Sequence, residues 1–419
     1  MATYTPLDVS TNENRITVSG GLRTAEMRYL FAAIFNTVSN KGYKDIVLDL
    51  SNLGIAFAPP ILALACICRN YLVEGIDTEL VLPRDSRLSS IFANANWAHI
   101  ISPMMHPKSS YQGTKQLPAM QFQTPQEQHQ AVSKIMDQIL GTLDEIEKSH
   151  LSAIEWSVNE VTDNVLNHSE SRMGGLVQVT KFEKNRKEFE FCVADAGLGI
   201  PYTLRQGHPE IRSDSEALDR AIREGVTRGV NYGQGNGLYG SFRIAESTEG
   251  SFEIQSGNAS FFYNQKDKAI HSQNQNIPFS GTLVSATVGY NNPLVLENVL
   301  EFNNRKHVPV DSIDLKYGDD ESGNLIFPLR NESEGYGTRG AGATVRTKIL
   351  NLAKFSTRKV IIDLEKIRLV SSSYADEVFG KLFAELGPLE FNKKIEIINA
   401  EDIVQRLIDR SIIQRMKAV

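Results

Sequence analysis

A carboxylate and a carboxamide one helical turn apart, Glu160 and Asn164, stand in EWSVNEVTDNVLNHS (155–169). Ile154, Val158, Val161 and Val165 recur at helical spacing and make one apolar seam. Glu160 and Asn164 then stack on one flank beside it. Such a pair suits a metal–phosphate centre. An amide oxygen is a hard, neutral ligand for Mg²⁺, which keeps most of its waters and bridges to phosphate. The carboxylate can take a proton from an attacking water or hydroxyl. The same spacing occurs on ordinary solvated helix faces, so the pair alone does not decide.

Two glycine-bearing signals follow. Phe189, Phe191 and Val193 alternate as in a half-buried strand, which ends in Asp195-Ala-Gly197-Leu-Gly199. Glycines there let backbone approach a ligand, and an acceptor-only carboxylate suits an exocyclic amine such as that of adenine. A plain turn has the same composition. The third signal, Gly233, Gly235, Gly237 and Gly240, leads into SFRIAES, which reads as a helix. Exposed backbone N–H groups at a helix start favour anions. No Gly-Lys-Ser/Thr follows, so this is not a Walker A loop. Nor is it the dinucleotide fingerprint, since the strand-turn-helix order and the ribose-binding acid are missing.

In order, E-x-x-x-N, D-x-G-x-G and G-x-G-x-G-L resemble the GHKL (Bergerat-fold, histidine-kinase-like) ATP-binding family of gyrases, heat-shock-90-type chaperones, mismatch-repair ATPases, histidine kinases and anti-sigma-factor kinases. Gly281-Thr282, heading the strand LVSATV, matches that family's last nucleotide element. The resemblance covers roughly 130–290. It implies ATP and Mg²⁺ as cofactors, Glu160 as general base and Asn164 as metal ligand. It implies Asp195 as the adenine-reading carboxylate, with Gly197 and Gly199 shaping its loop and Thr282 under the adenine edge. Gly235 and Gly237 would line the phosphates, in one nucleotide-binding set with Gly233 and Leu238. Asn167-His168-Ser169 is similar to the small serine kinases that act as anti-sigma factors. The stretch 201–232, with Arg205, Arg212, Arg220, Arg223 and Arg228 among acids, matches the family's ATP lid. Whether one of these arginines touches the γ-phosphate stays open.

The chain has 419 residues, enough for two or three domains. Its hydrophobic content of 41% and charged content of 22% are those of a soluble protein. A net charge of −6 gives no basic field for nucleic acid. Cys66, Cys68 and Cys192 lie in apolar runs and read as buried small hydrophobes. The histidines show no zinc spacing. The first residues lack a secretory core. The longest apolar run, Ile55 to Cys68, contains Pro59-Pro60 and falls short of the roughly 20 residues of a membrane span. Reduced cysteines without an export signal point to the cytoplasm.

The expected architecture is α/β and α+β multidomain. Alternating strands and helices over 1–105 predict a small α/β domain with parallel strands. Residues 106–128 read as linker. A helix over His129 to Ser149 leads into the Glu160 helix and is long enough to make a homodimer contact. The central domain, 129–290, is expected as a GHKL α/β sandwich, a mixed and mostly antiparallel sheet against helices. Within it, 251–264 reads as a hairpin about Gly257-Asn258, and 265–278 as polar loop. Residues 291–323 read as a second linker. In 324–419, a glycine-rich GYGTRGAGA precedes a helix at Thr344, which reads as a turn and helix start or as a phosphate loop.

The two flanks align without gaps: LDLSNLGIAFAPPILALA against IDLEKIRLVSSSYADEVF sets Asp49 on Asp363 and Leu50 on Leu364. Both resemble the STAS fold of anti-sigma-factor antagonists, the C-terminal copy more closely. That resemblance implies a phosphoacceptor serine at Ser372; Ala58 holds the N-terminal equivalent and has no hydroxyl. Ser371 to Ser373 also suit a plain helix cap. The expected partners are ATP and a protein, either a STAS-type antagonist, a regulator or the chain's own STAS-like domains; no membrane is expected. The expected activity is ATP hydrolysis or serine/threonine-type phosphotransfer. An ATP-driven conformational or dimerisation switch without phosphotransfer is the alternative. A sensor histidine kinase fits poorly, with no H-box upstream of 155.

Overall fold

The computed structural model describes residues 5–111, 117–143, 146–182, 187–227, 235–266 and 268–417. The chain divides into two compact units, Met1–Ile135 with Ala153–Val308, and Met136–Ser152 with Pro309–Val419.

Among the described residues, the first unit contains two larger sheets and a two-stranded hairpin. In the N-terminal one, β1 (Asp8–Asn12), β2 (Arg15–Leu22), β3 (Asp45–Ala56) and β4 (Asp77–Val81) lie in chain order. β1 and β2 form an antiparallel hairpin, and the other pairings are parallel. Helices α1 (Met27–Phe35), α2 (Ala58–Val73), α3 (Ser86–Asn94) and α4 (Trp97–Ile101) connect or follow the strands.

The second sheet contains β5 (Met120–Phe122), β6 (Gly175–Phe182), β7 (Glu188–Asp195), β8 (Ser251–Asn264) and β9 (Ala269–Gly289). Its order is β5-β6-β7-β9-β8 and every pairing is antiparallel. Side chains alternate along a strand. Leu176, Cys192, Ala194 and Leu283 therefore face one way and join a core shared with the N-terminal sheet and α2. Val193 and Asp195, paired with Val284 and Thr282, face the other way. This explains why α2 shows no polar stripe: a helix covered on two sides is apolar all round. Its Cys66 Sγ donates to the Ala194 carbonyl at 3.1 Å. Burial pushes the Cys66 thiol well up, in keeping with an inert role.

Helices α5 (Pro125–Thr142) and α6 (Lys148–Asn164) precede β6; α7 (Ile200–Gly207), α8 (Asp214–Ala221) and α9 (Gly237–Ser247) fall between β7 and β8. After β9 come α10 (Leu296–Val299) and a small hairpin of β10 (Glu301–Phe302) and β11 (Arg305–Lys306).

Several expected boundaries move. The stretch 106–128 contains β5 and the start of α5, which opens with a capping box. Thr124 Oγ1 accepts from Glu127 N at 3.2 Å, and Glu127 Oε2 accepts from Thr124 N at 3.2 Å and Gln123 N at 2.8 Å. The helix expected to run to Ser149 breaks after Thr142. No hairpin turns at Gly257-Asn258: β8 runs through that point as a bulge, with Gly257 at φ +55°. Residues 269–278, expected as loop, are strand. Of these, 269–274 pair with 259–264, and the exposed positions of 269–278 suit their polar side chains.

In the second unit, β12 (Leu325–Pro328), β13 (Val360–Asp363) and β14 (Ile395–Ile398) form a parallel sheet in that order. Around it lie α11 (Ser312–Tyr317), α12 (Leu329–Glu332), α13 (Arg339–Phe355), α14 (Ser372–Ala375), α15 (Lys381–Lys394) and α16 (Asp402–Met416). A π-type turn over 376–380 joins α14 to α15. α13 starts earlier than Thr344, because Thr338 caps it by accepting from Ala341 N at 3.3 Å. GYGTRGAGA is thus loop, cap and first helical turn.

Candidate functional site

On the sheet face away from α2 is a cavity of about 440 Å³. Its wall brings together Glu160 and Asn164 from α6, Asp195 from the end of β7, and Thr282 and Val284 from β9. Gly199, which caps α7, and Gly235, Gly237 and Leu238, at the start of α9, also line it. These residues come from distant stretches, and the fold gathers them.

Asp195 is 3% exposed. Burial pushes its carboxyl up to about 7, against the pull of the Gly197 and Thr282 backbone N–H groups. Gly197 N donates to Asp195 Oδ1 at 2.8 Å. Gly197 is not itself on the wall. It packs against Ser169, where a Cβ would lie 2.0 Å from the carbonyl oxygen. Thr282 Oγ1 lies 3.2 Å from Ser256 Oγ, which donates to Gly281 O at 2.7 Å and accepts from Ile200 N at 2.9 Å. The end of β7, the start of α7 and the 281–282 turn are therefore one hydrogen-bonded corner.

Glu160 is also pushed up to about 7, first by burial and then by Asp163, a second wall carboxylate. The start of α9 abuts it: a Cβ on Gly237 would lie 2.5 Å from Glu160 Oε2. Asn236, the cap residue of α9, accepts from Gly225 N through Oδ1 at 3.0 Å and ties 222–227 to the glycine turn.

Gly233 and Arg228 lie outside the described residues. The other lid arginines, Arg205, Arg212, Arg220 and Arg223, are not on the cavity wall. Arg205 is held by Asp214 at 2.6 Å, and Arg220 by Glu210 and Glu216 at 2.6 and 2.7 Å. In the described part of this stretch, two short helices, α7 and α8, contribute Thr203, Leu204 and Ala221 to the wall.

An aromatic edge of the cavity, Trp156, Phe302 and His307, was missed by sequence reasoning. Trp156 and Phe302 stack at 6.3 Å, and Trp156 Nε1 donates to His307 Nε2 at 3.3 Å. An indole only donates, so a neutral His307 carries its proton on Nδ1. Phe302 and His307 come from the stretch read as linker. A signal was there: Asn303-Asn304 sit at φ +50° and +59°, as the central pair of a tight hairpin turn requires.

Ser372 lies in the second unit, exposed, as the first residue of α14. Its neighbour Ser371 is the cap, with Oγ accepting from Tyr374 N at 3.0 Å and lying 3.0 Å from Ser373 Oγ. Ala58, the aligned position, is buried at the start of α2.

Residues 341–405 match the STAS-like domain of unknown function DUF4325. This STAS-like domain takes in most of α13, β13 and β14, the start of α16, and Ser372. Its presence is consistent with a protein of partner-switching signalling. No curated protein sequence matches the chain. Among the described residues no helix is long and apolar enough to cross a membrane. Among them, too, no three His, Cys, Asp or Glu side chains group as metal ligands.

Proposed function

We propose that the first unit binds Mg·ATP in this cavity, and that the chain acts as an ATPase or protein serine kinase in a partner-switching type of signalling system. One observation carries the reading. Glu160, Asn164, Asp195, Gly235, Gly237 and Thr282 come from separate stretches in GHKL order and share one 440 Å³ cavity, within the range of small-molecule sites.

The donor set fits the cofactors. With the Asn164 carboxamide and the neighbouring Asp163 carboxylate, the protein offers a partial shell. Mg²⁺ accepts such a shell because it keeps waters and takes phosphate oxygens. Asn164 would hold the metal, and the turn at 235–237 would hold the phosphates. A buried Asp195 carboxylate would accept from an exocyclic amine. When bound, Mg·ATP supplies a phosphoryl group whose developing charge the metal offsets. Glu160, poised near neutral pH, suits a group that takes a proton from water or a hydroxyl.

A nucleotide-driven switch without phosphotransfer is the second reading. It is favoured by the serine cluster at α14, where Ser371 serves as an ordinary helix cap by accepting from Tyr374 N and lies 3.0 Å from Ser373 Oγ. Incubation with γ-labelled ATP separates the two. Label on protein that vanishes in Ser372→Ala supports the kinase. Free phosphate with unlabelled protein supports the switch, and neither product with either protein rejects both.

A further inference from the structure

The N-terminal module sends an arginine into the second sheet. Arg28, on α1, is 3% exposed. Its Nε and Nη2 donate to Gln255 Oε1 at 3.2 and 2.9 Å. Nη1 donates to the carbonyls of Gly257 at 2.7 Å and Ile277 at 2.6 Å, and Nη2 to that of Ala259 at 2.7 Å. Every N–H of the guanidinium is used, and each of these acceptors is neutral. Burial lowers its pKa to about 10, with Asp214 opposing. A buried charge without a direct ion pair adds little stability over an apolar side chain. What this one does is fix the β8 bulge through the carbonyls of Gly257 and Ala259 and tie it to β9 through that of Ile277.

From the same bulge, bonds run the other way. Ser256 Oγ accepts from Ile200 N at 2.9 Å, at the start of α7. Asn258 N donates to Asp214 Oδ2 at 2.7 Å, at the start of α8, and Asp214 Oδ1 accepts from Arg205 of α7 at 2.6 Å. These two helices share a small core of Leu204, Ile211, Ala217 and Ala221 and form one wall of the cavity. Arg28, the bulge, Asp214 and the wall are thus consecutive links of one bonded chain.

We propose that Arg28 is a positioning residue for the candidate site. By locking the 256–259 bulge it seats the α7–α8 wall, so that the N-terminal module sets how tightly the cavity holds its ligand. The identity of that ligand rests on the nucleotide reading; the seating of the wall does not.

The test uses the full chain as wild type, Arg28→Met, Arg28→Lys and Asp214→Asn. Hydrogen exchange without nucleotide reads the wall, and a fluorescent trinitrophenyl-ATP with Mg²⁺ reads the site. Arg28→Met should speed exchange across 200–221 and 255–260 and weaken analogue binding about tenfold, leaving β2 to β4 as protected as in wild type. Arg28→Lys should do less. Asp214→Asn should loosen 200–221 alone, and its effect should not add to that of Arg28→Met, as expected of linked groups. Unchanged exchange at 200–221 in a folded Arg28→Met overturns the proposal. Should that variant lose protection everywhere, wild-type exchange at 200–221 in both Arg28→Lys and Asp214→Asn overturns it instead. Wild-type protein that ignores the analogue defeats the nucleotide reading only; the exchange data still decide Arg28.

Discussion

Gly237 sits against Glu160 so closely that a methyl group there would lie 2.5 Å from Oε2 and 3.2 Å from Cβ. Its backbone is ordinary helix, and alanine suits a helix at least as well as glycine. Proximity, not conformation, requires glycine here. Gly237→Ala should keep the melting temperature within a few degrees but displace the carboxylate, cutting nucleotide turnover by roughly tenfold or more. Full turnover in a folded variant would show that the contact does not position Glu160.

Gly240, one turn on, makes a different contact. A Cβ there would lie 2.2 Å from the buried Trp156 ring and 3.1 Å from Leu300. An indole packed between α6, α9 and the β10–β11 hairpin cannot swing aside as a carboxylate can. Gly240→Ala should therefore cost about 1–3 kcal/mol, as overpacking does. Urea denaturation measures it; an unshifted midpoint would mean the aromatic edge has slack.

Asp195 opposes stability to function. Its folded pKa, about 7, lies above the ordinary 3.8. The folded state thus holds that proton more tightly, and stability is lost as pH rises through 7. Asparagine removes this penalty and keeps an oxygen for Gly197 N. Asp195→Asn should be more stable than wild type at pH 8, by about 1–3 kcal/mol, with the gap closing toward pH 4. It should also bind an ATP analogue at least tenfold more weakly, since a charge-assisted hydrogen bond is worth roughly 1.5–3 kcal/mol. Melting curves at the two pH values test the first half. Undiminished binding would rule out base recognition by Asp195.

Much of this arrangement was readable from residue spacing, and the misses share a cause. The α6 seam and the alternation of β7 have clear periods, so Glu160, Asn164 and Asp195 could be placed on their elements. Residues 269–278 of β9 could not, because a strand with polar side chains on both faces has no apolar period. The capping box at Thr124 and the tight turn at Asn303-Asn304 were short signals inside stretches that looked like linker, and the second carried Phe302 and His307 to the cavity. α2 was readable as buried, but which second surface buries it is a tertiary fact. The alternate residues of β6 and β7 show an apolar face without naming its cover.

Glu160 should share control of the pH dependence of turnover with Asp195. With its carboxyl pushed up to about 7, the fraction ready to accept a proton rises between pH 6 and 8. Because kcat/KM reports groups of the free enzyme and the Asp195 carboxyl is also pushed up to about 7, its logarithmic profile for ATP should climb toward that value with a slope approaching two. Glu160→Gln should lower that slope to one and cost about 10²–10⁴-fold of the rate. An unchanged slope in the glutamine variant would assign the second proton to another group.

The serine cluster at α14 separates capping from chemistry. Ser371 Oγ accepts from Tyr374 N, whereas Ser372 is exposed and outside that bond. Ser371→Ala should therefore lower stability by about 1 kcal/mol, the usual loss for an N-cap, and Ser372→Ala should leave it unchanged. A phosphate on Ser372 would add close to −2 charge at the helix start, where the dipole favours it, so Ser372→Asp should not destabilise the fold. Loss of labelling from γ-labelled ATP in Ser372→Ala, with Ser371→Ala still labelled, would then report the acceptor rather than a damaged helix. Equal labelling of both variants would remove Ser372 from the reaction.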